Sequence, residues 1–275
     1  MKLDQLTPQQ FQRFRDFIYM KSGIRIPDTK LTLLSNRIRR RVTSGAWADY
    51  DSYYGHLTST KGTNELEFFF DAVTTNETSF FRTAAHFDWF STEFLTNRVA
   101  QARRGERPKS LRIWSAGCAS GAEAYTTAIC LLENKYRLRG WDLEILGTDI
   151  SEDALRIARE GVFRPRSVEG VSEVQRKRYL RETDDGQWQV RPEVMEPVSF
   201  QRHNLMTPPP KPAFDCIFIR NVLIYFDTES KTKVVQHLIQ ALAPGGFLVV
   251  GPSEGLYAML DPLKRHSAFL YEKCS

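Results

Sequence analysis

A glycine-rich segment, Ile113-Trp-Ser-Ala-Gly-Cys-Ala-Ser-Gly-Ala-Glu-Ala-Tyr125, constrains the fold of this chain more than any other feature. Its pattern predicts a strand, a turn that contains Gly117 and Gly121, and a helix that begins near Glu123. Glycine lets a backbone approach a ligand closely. Asp149 closes the next predicted strand, where an acidic side chain can bind the hydroxyls of a ribose. The combination predicts a nucleoside cofactor in an α/β fold.

The details of this loop bear on the kind of cofactor. Its glycines lack the full G-x-G-x-x-G spacing of dinucleotide-binding loops. Glu123 stands at the predicted helix N-terminus, where its charge would repel a pyrophosphate. A cofactor with a positive charge and no phosphate, such as S-adenosylmethionine, suits this acidic loop better.

Composition sets broad limits. The 275 residues suffice for one large α/β domain, or for a main domain with a small companion. Hydrophobic residues make up 41% and charged residues 26%, as in ordinary soluble globular proteins. No apolar run is long enough to span a bilayer and the N-terminus has no signal-peptide core, so we expect a cytoplasmic protein. A net charge of +5 permits a nucleic acid, a membrane surface or an acidic protein as partner.

The cysteines give no sign of a metal site. Cys118, Cys130, Cys216 and Cys274 are scattered, without the spacing of metal ligands. We expect no bound metal and mostly buried thiols in a reducing compartment. Cys118 lies in the glycine loop, but we expect it to pack rather than to act as a nucleophile, because no His or cationic residue accompanies it locally.

Hydrophobic periodicity divides the chain into two parts. Residues 1–75 show helical patterns only, which predicts a small all-helical domain whose first helix has Thr7 as its N-cap and Pro8 at its first position. Residues 76–275 alternate strands and helices from Lys109 onward, which predicts a doubly wound, mostly parallel sheet. The predicted strands are 111–115, 143–148, 214–220, 247–251 and 268–273; the predicted helices of this part are 123–134, 153–159 and 230–242.

Two segments interrupt the alternation. Residues from about 163 to 200 include a hairpin pattern that turns at Asp185-Gly186, which predicts a small antiparallel β insertion added to the main sheet. Ala243-Pro-Gly-Gly246 predicts the end of a helix and a tight turn before the fourth core strand.

Five segments together resemble the CheR-type chemoreceptor glutamate methyltransferases: Thr74-Thr-Asn-Glu-Thr-Ser-Phe-Phe-Arg82, the glycine loop, Gly147-Thr-Asp-Ile150, Asn204-Leu-Met206 and Ile219-Arg-Asn-Val-Leu-Ile-Tyr-Phe-Asp227. The resemblance covers nearly the whole chain and implies a class I methyltransferase fold. It also implies methyl transfer from S-adenosylmethionine, with S-adenosylhomocysteine as product, to glutamate side chains of methyl-accepting chemotaxis receptors. A glutamate carboxylate, with a pKa of about 4.3, is already ionised near pH 7 and needs no general base.

The resemblance further implies the residues of the site. The implied cofactor contacts are Asn76, Thr78, Arg82, Glu123, Asp149, Asn204, Leu205, Asn221 and Val222. Tyr225 would lie at the methyl-transfer centre, and Arg82 would hold the acceptor carboxylate ionised by bidentate hydrogen bonding. One departure stands out, because the family usually has Gly-Glu-Glu-Pro-Tyr where this chain has Gly121-Ala-Glu-Ala-Tyr125.

Structural roles are the alternatives for these residues. Asp149 could instead cap the next helix. Asn76 and Thr78 could be turn or cap residues before a helix at Ala84. Arg82 could be a solvated surface charge, and Tyr225 could be a core aromatic with a hydrogen-bonded tip.

A basic segment between Lys30 and Arg41 concerns the partner. It has five basic residues and no acidic one, and helical spacing places Lys30, Arg37, Arg40 and Arg41 on one side. Such a face is commonly only solvated, but the resemblance implies that it meets the acidic methylation region of a receptor. We also expect no use of the receptors' C-terminal tethering peptide, since the hairpin loop is short.

We further expect a monomer, without nucleic-acid binding or membrane insertion. Two other functions stay open at this point. The basic composition would suit an RNA methyltransferase, although the sequence has no basic patch interleaved with aromatic residues. The altered glycine loop would suit a non-enzymatic scaffold that binds a nucleotide or cofactor and reports it to a signalling partner.

Overall fold

Helices alone make up the first part of the computed structural model, which describes residues 4–211 and 213–274 and omits the side chain of Tyr257. These helices are α1 (Pro8–Ser22), α2 (Leu31–Ser44), α3 (Tyr50–Thr58) and α4 (Thr63–Val73). The predicted start of α1 is confirmed, since the Thr7 hydroxyl accepts the Gln10 N–H and the Gln10 side chain accepts the Thr7 N–H. Capping at both groups fixes where the helix begins.

A second group of helices precedes and covers the sheet. They are α5 (Ala84–Trp89), a π-helical turn (Phe90–Phe94), α6 (Leu95–Arg103), α7 (Ala122–Glu133), α8 (Glu152–Glu160), α9 (Glu173–Tyr179), α10 (Pro192–Met195) and α11 (Thr228–Ala241). The rings of Phe87 and Phe90 lie 5.7 and 5.9 Å from that of Phe218, centroid to centroid, so the segment before the first strand packs on one face of the sheet. No helix of the described residues is both long and apolar enough to cross a membrane.

The strands form two sheets. They are β1 (Ser110–Ala116), β2 (Asp142–Asp149), β3 (Val162–Phe163), β4 (Leu180–Glu182), β5 (Trp188–Val190), β6 (Val198–Arg202), β7 (Phe214–Ile219), β8 (Leu242–Val250), β9 (Lys264–Arg265) and β10 (Leu270–Glu272). The main sheet has the order β6-β2-β1-β7-β8-β10-β9. Its first five members are parallel and the last two antiparallel. The predicted doubly wound, mostly parallel sheet is confirmed.

The strand order positions the site. Ala116 at the end of β1 is level with Thr148 of β2 and with Ile219 of β7. The chain winds outward through β2 and β6 on one side of β1 and through β7 and β8 on the other. Ligands of such sheets bind at the carboxyl ends of the strands where this reversal occurs.

The hairpin prediction is partly corrected. β4 pairs with β5 in antiparallel fashion and Gly186 has a φ of 74°, so the turn lies where it was predicted. The hairpin does not extend the main sheet, however. β5 pairs instead with β3, the two-residue strand directly after α8, which completes a separate three-stranded sheet.

Two further differences concern the main sheet. β6 was not predicted, because its five residues are too few to show a clear alternation. The Ala243-Pro-Gly-Gly246 segment is not a turn before the strand: β8 begins at Leu242 and runs through it. A bulge between Phe214 and Cys216 of β7 absorbs the irregular backbone, and the Gly245 N–H donates to the Lys273 carbonyl at 2.7 Å.

Candidate active site

A cleft of about 630 Å³ lies between the carboxyl ends of β1, β2 and β7 and the helical domain. It brings together every residue for which a cofactor or methyl-transfer role was predicted: Asn76, Thr78, Arg82, Glu123, Asp149, Asn204, Leu205, Asn221, Val222 and Tyr225. Lys30 and Arg37 of the predicted receptor-binding set also line it. Segments far apart in sequence therefore meet at one edge of the sheet.

The glycine loop forms the floor of the cleft. The Gly117 and Cys118 N–H groups both donate to the Thr148 carbonyl at 2.8 Å, which fixes the loop across the end of β2. Gly117 has a φ of 74°, and a Cβ there would lie 2.4 Å from Val222 Cγ2. Only glycine lets this loop come so close to the segment after β7.

Cys118 in this loop is a packing residue. Its side chain is buried, and that burial, followed by the nearby Asp149 and Glu123 carboxylates, raises the pKa of its thiol well above the ordinary value. A protonated, inaccessible thiol is a poor nucleophile.

Asp149 lies at the bottom of the cleft. Its carboxylate accepts the Ala119 N–H at 2.9 Å and the Ser151 N–H at 3.0 Å, and burial raises its pKa while these bonds oppose the rise. It does not cap α8, since the Ser151 hydroxyl takes that place by accepting the Ala154 N–H. Each carboxylate oxygen has a second lone pair, so both can still accept a ligand hydroxyl.

Glu123 is held by a residue that sequence reasoning missed. Its Oε2 lies 2.9 Å from Arg220 Nη1, and its Oε1 accepts the Ser115 hydroxyl at 2.7 Å. Arg220 also donates to the Arg82 carbonyl, while its buried Nε has no partner among residues 4–211 and 213–274. A signal was present in the sequence, because Arg220 directly follows the apolar run Cys216–Ile219, and a cation at the end of a buried strand must find a counter-charge.

The donor set suits a particular ligand chemistry. The Glu123 carboxylate matches the ammonium of an amino-acid group, and the adjacent Arg220 guanidinium matches its carboxylate. Asp149 matches a pair of ribose hydroxyls. Arg220 lines the cleft, and within the described residues its buried Nε is a donor without a partner. These features fit the two polar ends of S-adenosylmethionine.

The linker between the two parts of the chain forms one side wall. The Asn76 amide donates to the Ser151 hydroxyl at 3.0 Å, which ties the linker to the start of α8. Neither Asn76 nor Thr78 caps α5, because that helix begins after Thr83. Asn76 is thus a structural anchor in this structure, and a cofactor contact of its own stays a prediction.

Arg82 stands at the cleft mouth. It is exposed, and its Nη1 lies 3.4 Å from the Glu77 carbonyl. Its neighbours Phe81 and Thr83 both have left-handed backbones, with φ of 52° and 59°. Non-glycine residues in this region cost free energy and cluster at functional sites. The strained turn directs the chain so that Arg82 lines the cleft.

The opposite wall is the loop after β7. Asn221 has a φ of 59° and donates its backbone N–H to the buried Glu254 carboxylate. A 3₁₀ turn (Leu223–Tyr225) follows, and Tyr225 is 39% exposed, which excludes a core aromatic. Glu254 lies in the loop after β8, and no local pattern had pointed to it.

Asn204 and Leu205 close the cleft beside the helical domain. The Asn204 amide donates to the Lys21 carbonyl at 2.7 Å, and its oxygen accepts the Met206 N–H at 3.0 Å. Leu205 is buried, and its carbonyl lies 3.1 Å from His237 Nδ1. The Asn204 side chain therefore joins α1 to the loop after β6.

The predicted receptor-binding residues separate into two kinds. Lys30 and Arg40 are exposed. The Arg37 guanidinium donates hydrogen bonds to the Val73 carbonyl and the Thr75 hydroxyl, so it supports the start of the linker between the two parts of the chain. Arg41 is paired with the buried Glu65 through Nε at 2.6 Å and Nη2 at 2.8 Å, which neutralises its charge. Helical spacing alone could not reveal this pair.

Comparison with known proteins follows the same division of the chain. Residues 9–74 match the family model described as "CheR methyltransferase, all-alpha domain", and residues 76–268 match "CheR methyltransferase, SAM binding domain".

Curated relatives match over nearly their full length. Chemotaxis protein methyltransferase 2 of Vibrio cholerae serotype O1 is 33% identical over 91% of this chain and 87% of its own. The chemotaxis protein methyltransferase of Escherichia coli K12 is 34% identical over 90% and 85%. That of Borreliella burgdorferi is 31% identical over 90% and 89%.

Proposed function

The chain belongs to the CheR methyltransferase family, whose cofactor is S-adenosylmethionine, and from that premise we propose that it methylates glutamate side chains of chemoreceptors. The acceptors would lie on the acidic helical methylation region in the cytoplasm, and the product would be a γ-glutamyl methyl ester. Residues 1–75 would recognise the receptor, and residues 76–275 would bind the cofactor and transfer the methyl group.

One observation carries the proposal: cations line the mouth of the cofactor cleft. Arg25, Lys30 and Arg82 line the cleft and are exposed, and Arg37 also lines it and is half-buried. Only Glu77 offsets them among the exposed charges that line the cleft in the described residues. A positive rim attracts an acidic helix and raises its association rate. It also favours the ionised form of a carboxylate that enters.

Separate residues would bind the cofactor and the acceptor. Asp149 would hold the ribose, and Glu123 with Arg220 would hold the amino-acid end, so that the rest of the cofactor lies between the glycine loop and residues 221–225. The bound cofactor supplies a methyl group already activated on a sulfonium. The chain therefore has only to align the acceptor and keep it ionised, for which we assign Arg82 and Tyr225.

We also propose that the enzyme acts without the receptors' tethering pentapeptide. Only residues 183–187 separate β4 from β5, and the bonds of Thr183 to Gln187 and of Gly186 to Thr183 close this loop on itself. A loop of this length leaves little edge for an added peptide strand. Calorimetry should show no binding of the pentapeptide, and micromolar binding would refute this part.

Methyl transfer to receptor-containing membranes tests the main proposal. We expect labelled methyl groups to enter receptor glutamates, located by mass spectrometry, and to be base-labile as esters are. Receptors whose methylation-region glutamates are replaced by alanine, and RNA, serve as matched negative substrates. Label in RNA, or in receptor residues other than glutamate, would overturn the assignment.

A further inference from the structure

Glu254 is a buried acid outside the set of residues assigned above. It lies in the loop after β8, and the residue is only 1% exposed. Its carboxylate accepts the backbone N–H groups of Asn221 and, at 2.8 Å, Leu223. Buried carboxylates are costly unless their oxygens are fully bonded. These bonds tie it to the loop that forms one wall of the cleft.

Two opposing influences act on the pKa of the Glu254 carboxylate. Burial raises the pKa of Glu254, while the N–H groups of residues 221–224 lower it by bonding the ionised form. Lys231 donates to the Glu254 backbone carbonyl at 2.7 Å rather than to the carboxylate. In the described part of the chain, backbone N–H groups are thus the partners that favour the ionised form of this carboxylate against its burial.

The loop needs such support because its backbone is strained. Asn221 has a left-handed φ of 59° although it is not glycine. Such conformations persist only where surrounding contacts over-determine them. On its outer side the loop is held by the helical domain, since the Arg25 N–H donates to the Tyr225 carbonyl at 2.8 Å. On its buried side the loop is held by the Glu254 carboxylate.

We propose that Glu254 is a positioning residue, whose carboxylate fixes Asn221 and Tyr225 at the distance from the glycine loop that methyl transfer requires. The proposal rests on the proposed function, because Tyr225 is assigned to the transfer centre there. Glu254 itself would touch neither the cofactor nor the acceptor.

Two variants perturb the carboxylate by different routes. Glu254→Gln keeps the shape but replaces one accepting oxygen by an amide that faces backbone N–H groups. Gly251→Ala keeps Glu254 but crowds it, since the new Cβ would lie 2.7 Å from Glu254 Oε1, whereas the next nearest atom, Asn221 N, would lie 3.2 Å away. Asp215→Asn is the matched control: Asp215 is 9% exposed and bonded to Arg107 and to the Arg112 N–H, at the opposite end of β7.

The experiment combines amide hydrogen exchange with turnover. We expect exchange of residues 221–225 to quicken at least tenfold in Glu254→Gln and less in Gly251→Ala. At saturating cofactor and receptor, kcat should fall at least tenfold in Glu254→Gln and recover partly in Glu254→Asp. Asp215→Asn should lower the melting temperature without either change.

The outcomes separate the two proposals. Unchanged exchange in Glu254→Gln, or a kcat equal to that of the unaltered protein, would overturn the positioning role. A kcat loss in Asp215→Asn as large as in Glu254→Gln would overturn it too, by reducing the effect to general destabilisation. An unaltered protein that methylates no receptor would refute the proposed function, while the exchange measurement would still decide what Glu254 holds.

Discussion

Glu123 Oε2 and Arg220 Nη1 lie 2.9 Å apart in an ion pair that links the helix after the glycine loop to the end of β7. Their side chains are 11% and 3% exposed. The pair joins the two central strands at the point where their order reverses, so it both stabilises the fold and sets the charges of the cleft.

Breaking this pair should be costly. Arg220→Met would leave the Glu123 carboxylate buried without its partner, and we expect a loss of about 3–5 kcal/mol in the free energy of unfolding. Adding Glu123→Gln should recover part of that loss, because the two changes are coupled. Denaturant unfolding measures both. The exposed pair of Arg104 and Glu106 is the control, since Arg104→Ala should have no measurable effect.

Asp149 should determine cofactor affinity. Asp149→Ala removes charge-assisted hydrogen bonds, and we expect S-adenosylmethionine binding to weaken by about 1.5–3 kcal/mol. Asp142→Ala changes an exposed carboxylate at the other end of the same strand and should leave binding unchanged. Isothermal calorimetry compares the two. An unaltered dissociation constant in Asp149→Ala would contradict the ribose assignment.

His86 should make the fold sensitive to acid. Burial and the nearby Arg220 lower the pKa of His86 to about 4, from an ordinary value of about 6.5. Between these values the unfolded chain binds a proton that the folded chain does not, so stability is lost as the pH falls through this window. His86→Phe keeps the stack on Phe269, whose ring centroid is 4.3 Å away. Denaturant unfolding across this window should show a smaller loss in the variant; parallel curves would contradict the assignment.

Much of the core could be predicted from local pattern. β1, β2 and β7 were located to within a residue or two because each has a short, mostly apolar core bounded by polar or glycine residues, with single charged residues at Arg112, Glu144 and Asp215. A helix was expected to begin at Ala84, but the extent of the helical segment 84–103 was not predicted. Thr83 has a left-handed backbone and makes no side-chain cap bond, so the usual start signal is absent.

The partners of the site residues could not be predicted in this way. Arg220 and Glu123 are 97 positions apart, and Asn221 and Glu254 are 33 apart. Motifs indicate which residues stand at strand ends, because that is a local property. Which acid neutralises which cation depends on how the strands are ordered, and no local pattern contains that order.

Arg40 and Arg41 of α2 should differ in what their substitution affects, because Arg40 is exposed and Arg41 is paired with Glu65. Arg40→Ala removes an exposed charge, so we expect slower receptor association, an effect that fades with added salt, and unchanged stability. Arg41→Ala leaves the buried Glu65 unpaired and should cost about 1.5–3 kcal/mol of unfolding free energy. Stopped-flow association and denaturant unfolding give the two readouts. If Arg41→Ala slowed receptor association as much as Arg40→Ala and left stability unchanged, Arg41 would instead be assigned to receptor binding.

Arg82 should affect turnover more than cofactor affinity. It is exposed at the cleft mouth, and its backbone is fixed by the Arg220 bond to its carbonyl, so a side-chain substitution leaves the wall in place. If its guanidinium clamps the acceptor carboxylate, Arg82→Ala should lower kcat about tenfold to a hundredfold and change the S-adenosylmethionine dissociation constant little. Arg82→Lys keeps the charge but not the bidentate geometry, and should recover only part of the rate. A large loss of cofactor affinity with kcat preserved would instead assign Arg82 to the cofactor.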